Sequence, residues 1–297
     1  MAGLNPQGDR QFFEQALFTV TGQSLSVKDL YFASGGCINN AVQLITNRGD
    51  FFIKWNESSD LEGMFQREAE GLDALRQPDG LSIPEVIGYG TVHERQFLVL
   101  EHLRSGHRQA DYWEQLGRGL ALQHQTHGEA YGFTTDNFIG RLPQSNTPTD
   151  RWVTFFIEQR LQVQAGLAFY DRRVDSAFLD RMHQLYDQLP GLLVDGPPAL
   201  LHGDLWSGNV MVGRSGEPCL IDPAVYYGHP EIELAFTHLF GGFDDRFYAA
   251  YEEVAPLVPG FLDRLDLYNL YPLLVHLNLF GASYLSGVER ILSRFGC

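Results

Sequence analysis

The sequence predicts an α+β fold in two lobes: residues 1–103 as a smaller N-terminal lobe of antiparallel sheet with one main helix, and residues 104–297 as a larger, mainly helical C-terminal lobe. Two observations predict it. Between residues 29 and 103, short apolar runs alternate with turns rich in Gly, Asn and Asp, the pattern of paired strands. Beyond residue 111 the runs lengthen and take helical spacing, around 111–128, 150–188, 231–254 and 262–293. The stretch "LRSGHR" interrupts the pattern, so the boundary is placed at Leu103 to Gly106. A chain of 297 residues suits roughly two domains of about 150 residues each.

The elements follow in order. "DLYFAS" is a strand, "GGCIN" its turn, "AVQLITN" the second strand, "NRGD" a tight turn and "FFIKWN" the third strand. Gly and Asn at these turns supply the positive φ that hairpins need. "DLEGMFQREAEGLDALRQ" reads as a helix with Asp60 as its cap, because Leu61, Met64, Phe65, Leu72 and Leu75 recur at helical spacing. "IPEVIGYG" and "RQFLVLEHL" give two further strands.

Composition limits the function. The chain is 44% hydrophobic and 13% aromatic, enough for a substantial core. With 21 Lys plus Arg against 37 Asp plus Glu, the formal charge is −16, which argues against a nucleic-acid partner. No apolar run reaches the ~18 residues of a membrane span, and "MAGLNPQGDRQFFEQ" lacks the start of a signal peptide. A cytoplasmic location without membrane contact is therefore expected. Cys37, Cys219 and Cys297 are far apart with no CxxC pair, so a zinc site is not expected.

Three features of the first lobe bear on an anionic ligand. "SGGC", with Ser34, Gly35 and Gly36, sits between the first two strands, where backbone N–H groups would approach a phosphate. An ordinary hairpin turn is the competing reading, and neither GxGxxG nor GxxxxGK[ST] occurs. Lys54 is an isolated cation in an apolar strand and needs a counter-charge. Glu68 lies near the inward stripe of the following helix and is favoured over Glu70. Glu101, His102 and Leu103 form the connector between lobes, either a plain link or a backbone edge for adenine.

The second lobe holds "LLHGDLWSGNVMVGRSGEPCLIDPAVYYG". Phosphoryl transfer needs an aligned acceptor, cations on the phosphates and a carboxylate near the attacking hydroxyl. Asp204 suits the last role. Asn209 offers a neutral oxygen to a metal, and Asp222, after "CLID", an anionic one. Such hard oxygen donors suit Mg²⁺, which keeps water and phosphate oxygens in its shell. "NVMVG" and "CLID" read as a hairpin.

"HGDLWSGN" followed by "LIDPA" resembles the catalytic loop and metal motif of the protein-kinase-like superfamily, and within it the fructosamine kinase (ketosamine-3-kinase) family. "SGGCINN", "FFIKWN", "MFQREAEGLDAL", "YGFTTDNFIG", "FFIEQRLQ" and "EIELAFTHLFGGF" are similar to that family's segments in the same order, nearly the whole chain. The resemblance implies Asp204 as catalytic base, Asn209 and Asp222 as Mg²⁺ ligands, Lys54 on the ATP phosphates and Glu68 as its helix partner. It implies phosphorylation of the 3-hydroxyl of a ketosamine, free or on a protein side chain, in a deglycation pathway. The chain departs from protein kinases in having HGD for HRD, DPA for DFG and no long activation segment. The competing readings are a kinase of another small acceptor, such as an aminoglycoside, choline or homoserine, and a catalytically silent nucleotide binder.

On the acceptor side, the resemblance implies that Trp206 stacks on a sugar, against a core role. His276 and Phe280, four apart on a helix, either line the acceptor pocket or belong to the core. His202 is expected to brace the loop, and Glu233 to support it from a helix start. His124 and His127 are expected on a helix surface rather than as a metal pair. Cys37, beside two glycines, is either a redox-sensitive thiol or an inert small residue.

Overall fold

The computed structural model describes residues 6–32, 39–57, 61–77 and 80–297. Ser34, Gly35, Gly36, Cys37 and Asp60 lie outside these residues. Strands β1 (Val27–Phe32), β2 (Asn40–Thr46), β3 (Gly49–Glu57), β4 (Val86–Val92) and β5 (Arg95–Glu101) form one antiparallel sheet in the order β1-β2-β3-β5-β4. The expected strands are all present. The helix between β3 and β4 is α2 (Met64–Leu75), starting later than expected, after Gly63 at a left-handed φ of 78°.

One helix was not expected. α1 (Pro6–Thr21) precedes the sheet and packs on the face opposite α2. Phe12, Phe13, Ala16 and Leu17 are buried against Ile53, Trp55, Phe97 and Val99, forming a second, smaller core. This packing fixes the other face of β3. Side chains alternate along a strand, so with Ile53 and Trp55 turned to α1, Lys54 is turned to the cleft, and Phe52 packs on the main core.

The helical part begins with α3 (Tyr112–Gln123) and a short hairpin of β6 (Asn137–Ile139) and β7 (Leu142–Gln144). The expected helix over 150–188 is broken. α4 (Trp152–Phe155) runs through a π-helical segment, Phe156–Leu161, into α5 (Gln162–Tyr170), and α6 (Ser176–Leu192) follows a separate turn. β8 (Ala199–Leu201), β9 (Val210–Val212), β10 (Pro218–Leu220) and β11 (Tyr226–Gly228) make two small antiparallel pairs, β9 with β10 and β8 with β11. The first is the expected hairpin. The chain ends with α7 (Pro230–His238), α8 (Asp245–Val254), α9 (Phe261–Phe280) and α10 (Leu285–Arg294). Among the described residues, no helix is long and apolar enough to cross a membrane.

The main core joins both parts. Phe65, Leu72 and Leu75 of α2 and Leu98 and Leu100 of β5 belong to the same buried cluster as Leu200, Leu201, Leu205 and Val225. α2 is thereby seated on the segment that carries Asp222.

Candidate active site

β8 delivers the chain into His202-Gly203-Asp204. Gly203 has φ 84°, and a Cβ there would lie 2.0 Å from the Ala224 carbonyl, so this close turn requires glycine. The turn is held from α7. The Glu233 carboxylate accepts the N–H of His202 at 3.1 Å and of Gly203 at 2.7 Å, and lies 2.9 Å from His124 Nε2. Burial alone would raise the Glu233 pKa, but the His124 bond and the backbone donors hold it below the usual range. His124 is therefore corrected: it is buried, with Nδ1 2.7 Å from the Tyr251 hydroxyl, rather than on a helix surface. His127 is exposed.

His202 is buried, its Nε2 2.9 Å from the Ile221 carbonyl, and its Nδ1 accepts the Asp204 N–H at 3.3 Å. A carbonyl only accepts, so Nε2 carries the proton and the ring is neutral. Burial, which outweighs the nearby carboxylates, lowers its pKa accordingly. The ring thus ties the Asp204 turn to the residue before Asp222.

Asp204 accepts a bond from Asn209 Nδ2 on its Oδ2 at 3.0 Å, and the same amide donates to the Asp204 carbonyl at 2.8 Å. Burial, more than the charges of Asp222 and Glu233, pushes the Asp204 pKa up to about 7 against the Asn209 amide. Asn209 leads into β9, and Ile221 N donates back to its carbonyl at 3.1 Å, so the hairpin spaces Asn209 from Asp222. Asp222 takes a left-handed φ of 56°, a conformation an Asp tolerates better than most residues.

Lys54 Nζ lies 2.6 Å from Glu68 Oε1 and also contacts Asp222 Oδ1. Burial would depress the ammonium, but the Asp222 and Glu68 charges overcome it and hold the lysine protonated well above its usual range. Glu70 is instead bound to Arg67 and Gln66. The Lys54–Asp222 contact joins residues 168 apart and carried no sequence signal.

Two open cavities flank this cluster. One is lined by Ser82, Glu101, His102, Leu103, Gly213 and Glu217, with Arg104 and Arg214 also in its wall. The Nδ1 of His102 is buried there without a partner among the described residues, and burial lowers its pKa. The other is a narrow opening walled by Asp204, Tyr226, Glu233, Phe236, Tyr271 and His276, among others. Trp206 is not in that wall. Its half-exposed ring folds over Gly208, where a Cβ would lie 2.3 Å from the indole. Phe280 is exposed beside His276, with ring centroids 5.4 Å apart.

Behind this second cavity is a polar layer that the sequence did not announce. Arg160 is fully buried without a carboxylate partner among the described residues, 4.0 Å from the Tyr226 ring, and donates to Asn146 Oδ1 at 2.8 Å. Asn137 and Gln144 bind the Val225 and Ala224 carbonyls. These contacts fix the strand leaving Asp222 and join residues from four separate segments, which explains their silence in the sequence.

The donor set fits a magnesium ion. Asp222 supplies a carboxylate already facing a cation. Asn209 spends its Nδ2 on Asp204, and no donor reaches its Oδ1 among the described residues.

A five-stranded antiparallel sheet with one helix in its cleft face, set on a helical lobe that carries the carboxylate loop, defines a phosphotransferase of the protein-kinase-like fold. That fold is shared with an aminoglycoside phosphotransferase at a TM-score of 0.59 and 18% identity, covering 96% of this chain and 99% of that one. More narrowly, the chain belongs to the fructosamine kinase family, whose profile matches residues 10–295. It is 40% identical over 294 residues, 98% of each chain, to a Synechocystis protein named as a ketoamine kinase. A Thermobifida fusca protein whose crystal structure is assigned as a fructosamine-3-kinase matches with a TM-score of 0.84 at 32% identity, covering 98% of both chains.

Proposed function

We propose that the protein transfers the γ-phosphoryl group of ATP to the 3-hydroxyl of ketosamines, the sugar adducts of amines and protein side chains. The observation that carries this reading is Asp204. It stands in the wall of one cavity, bonded by Asn209, while Asp222 faces the Lys54–Glu68 pair. Family membership narrows the acceptor to a ketosamine.

In this reading the lobes divide as residues 1–103 and 104–297, and ATP lies between them. Its adenine meets the Glu101–Leu103 connector, and its phosphates meet Lys54. Asn209 and Asp222 hold Mg²⁺, which when bound neutralises phosphate charge. Asp204 orients the acceptor O3–H and takes its proton as the O3–P bond forms and the bond to ADP breaks. A carboxylate poised near neutrality suits that transfer. Glu233 and His202 hold the loop. The product carries phosphate in place of hydroxyl, a better leaving group, so the adduct becomes labile and the amine is released.

The test is ATP consumption with ribulosamine, erythrulosamine and fructosamine acceptors, with mass spectrometry of each product. A 3-phosphorylated ketosamine is expected. Turnover confined to an aminoglycoside, choline or homoserine would replace this reading.

A further inference from the structure

The cavity beside Asp204 contains few polar groups still free to meet a ligand. Both Glu233 oxygens are taken by His202, Gly203 and His124. The Tyr271 hydroxyl donates to Gln144 Oε1 at 2.5 Å. Tyr226 is packed, ring and hydroxyl, against Arg160. Among the side chains of the described residues in this wall, two polar groups remain: the Asp204 carboxylate and the imidazole of His276.

The tautomer of His276 follows from its partner. Nδ1 lies 2.7 Å from the Pro272 carbonyl, which only accepts, so Nδ1 carries the proton. In a neutral ring Nε2 is then a bare acceptor, and no protein donor reaches it among the described residues. The ring cannot swing away. Phe240, Tyr284 and Phe280 stand with centroids 4.7, 5.0 and 5.4 Å from it, and Phe236 at 6.4 Å. Phe240 reaches this position in a left-handed conformation, φ 55° and ψ 39°, which for a bulky residue is strained and held by its surroundings. Phe240 and Phe280 each keep nearly half their surface exposed.

A ketosamine and the corresponding neutral ketose differ at one position. The ketosamine carries a protonated amine on C1, two carbons from the carbon that bears O3. That ammonium only donates. The sugar hydroxyls bind either partner equally well, and a carbonyl is refused by a bare acceptor. With Asp204 committed to O3–H, we propose that His276 Nε2 accepts the ammonium N–H, making His276 the residue that selects ketosamines over neutral ketoses. The exposed faces of Phe240 and Phe280 then meet the cation and the carbon chain behind it. This assignment rests on the ketosamine-kinase reading above. A charged imidazole would repel the ammonium, and burial of His276 does lower its pKa, against a small opposing effect of the Pro272 carbonyl.

The experiment compares the parent, His276→Leu and His276→Gln on two acceptors: fructosamine and 1-deoxyfructose, which lacks the amine. Losing a hydrogen bond to a charged group should lower kcat/KM for fructosamine roughly 10- to 100-fold in His276→Leu, mainly through KM. 1-Deoxyfructose should change far less, and His276→Gln, whose amide oxygen accepts, should recover part of the loss. Equal losses on both acceptors in both variants, or no loss in His276→Leu, would overturn the assignment. A parent that phosphorylates 1-deoxyfructose but not fructosamine refutes the amine contact alone, whereas a parent inert on both refutes the ketosamine reading itself.

Discussion

Asp204, half-buried in the loop after β8, and Glu233, buried at the start of α7, illustrate how two carboxylates distant in sequence are set to opposite tasks. Asp204 has one amide donor and is held near pH 7. Glu233 has two backbone donors and a histidine and stays ionised. For Asp204→Asn we expect kcat to fall at least about 100-fold, with ATP affinity by titration within a few-fold of the parent. A near-parental kcat would remove Asp204 from the base role. Glu233→Gln puts an NH₂ group where three donors converge, so one donor is left unpaired. The expected cost is about 1–3 kcal/mol in denaturant unfolding, with a fall in kcat because the Asp204 turn loosens. Parental stability and kcat together would show that the brace is dispensable.

At the scale of elements, strand alternation made much of the site legible. The period of β3 separates Lys54 from Ile53 and Trp55, and helical spacing in α2 puts Glu68 rather than Glu70 on the inner face. The Asn209–Asp222 hairpin was legible because both strands and their Gly-rich turn are local. What was not legible depends on distant partners: Asp222 against Lys54, His124 under Glu233, and Arg160 among the tyrosines. α1 is different, since Phe12, Phe13, Ala16, Leu17 and Val20 do follow helical spacing, so its signal is present in the sequence. The start of α7 yields a pH prediction. His229 caps that helix by accepting the Glu231 N–H on Nδ1 at 3.3 Å and stacks on Tyr268. Burial pulls its pKa down to about 4. An unfolded histidine titrates near 6.5, so the unfolded chain binds the extra proton between these values. The stability from a neutral His229 is present above about pH 6.5 and lost as pH falls toward 4, by at most about 3 kcal/mol. His229→Asn keeps a capping oxygen without titrating, so its stability should be lower throughout but flatter over that window. An unchanged slope of unfolding free energy against pH would exclude His229 as its source.

At the scale of the whole molecule, the choice of cations matters more than their number. Of 21 Lys plus Arg, only Lys28 and Lys54 are lysines. A reducing sugar condenses with a free amine, losing water to form a Schiff base that rearranges to a ketosamine, and guanidinium groups do not follow that course. An ammonium must first lose its proton to attack. Lys54 is buried between Glu68 and Asp222 and held protonated, so it is shielded from sugars twice, by access and by charge. Lys28, on β1, is exposed. The chain that acts on glycated amines therefore presents almost no lysine of its own, and the one in the candidate site is the less reactive. After prolonged incubation with ribose in the absence of ATP, peptide mapping should find the side-chain ketosamine at Lys28, no adduct at Lys54, and kinase activity close to that of an untreated sample. Lys28→Arg should remove the side-chain adduct. Modification of Lys54 at a rate comparable to Lys28, with matching loss of activity, would show that the Glu68 and Asp222 carboxylates do not protect it.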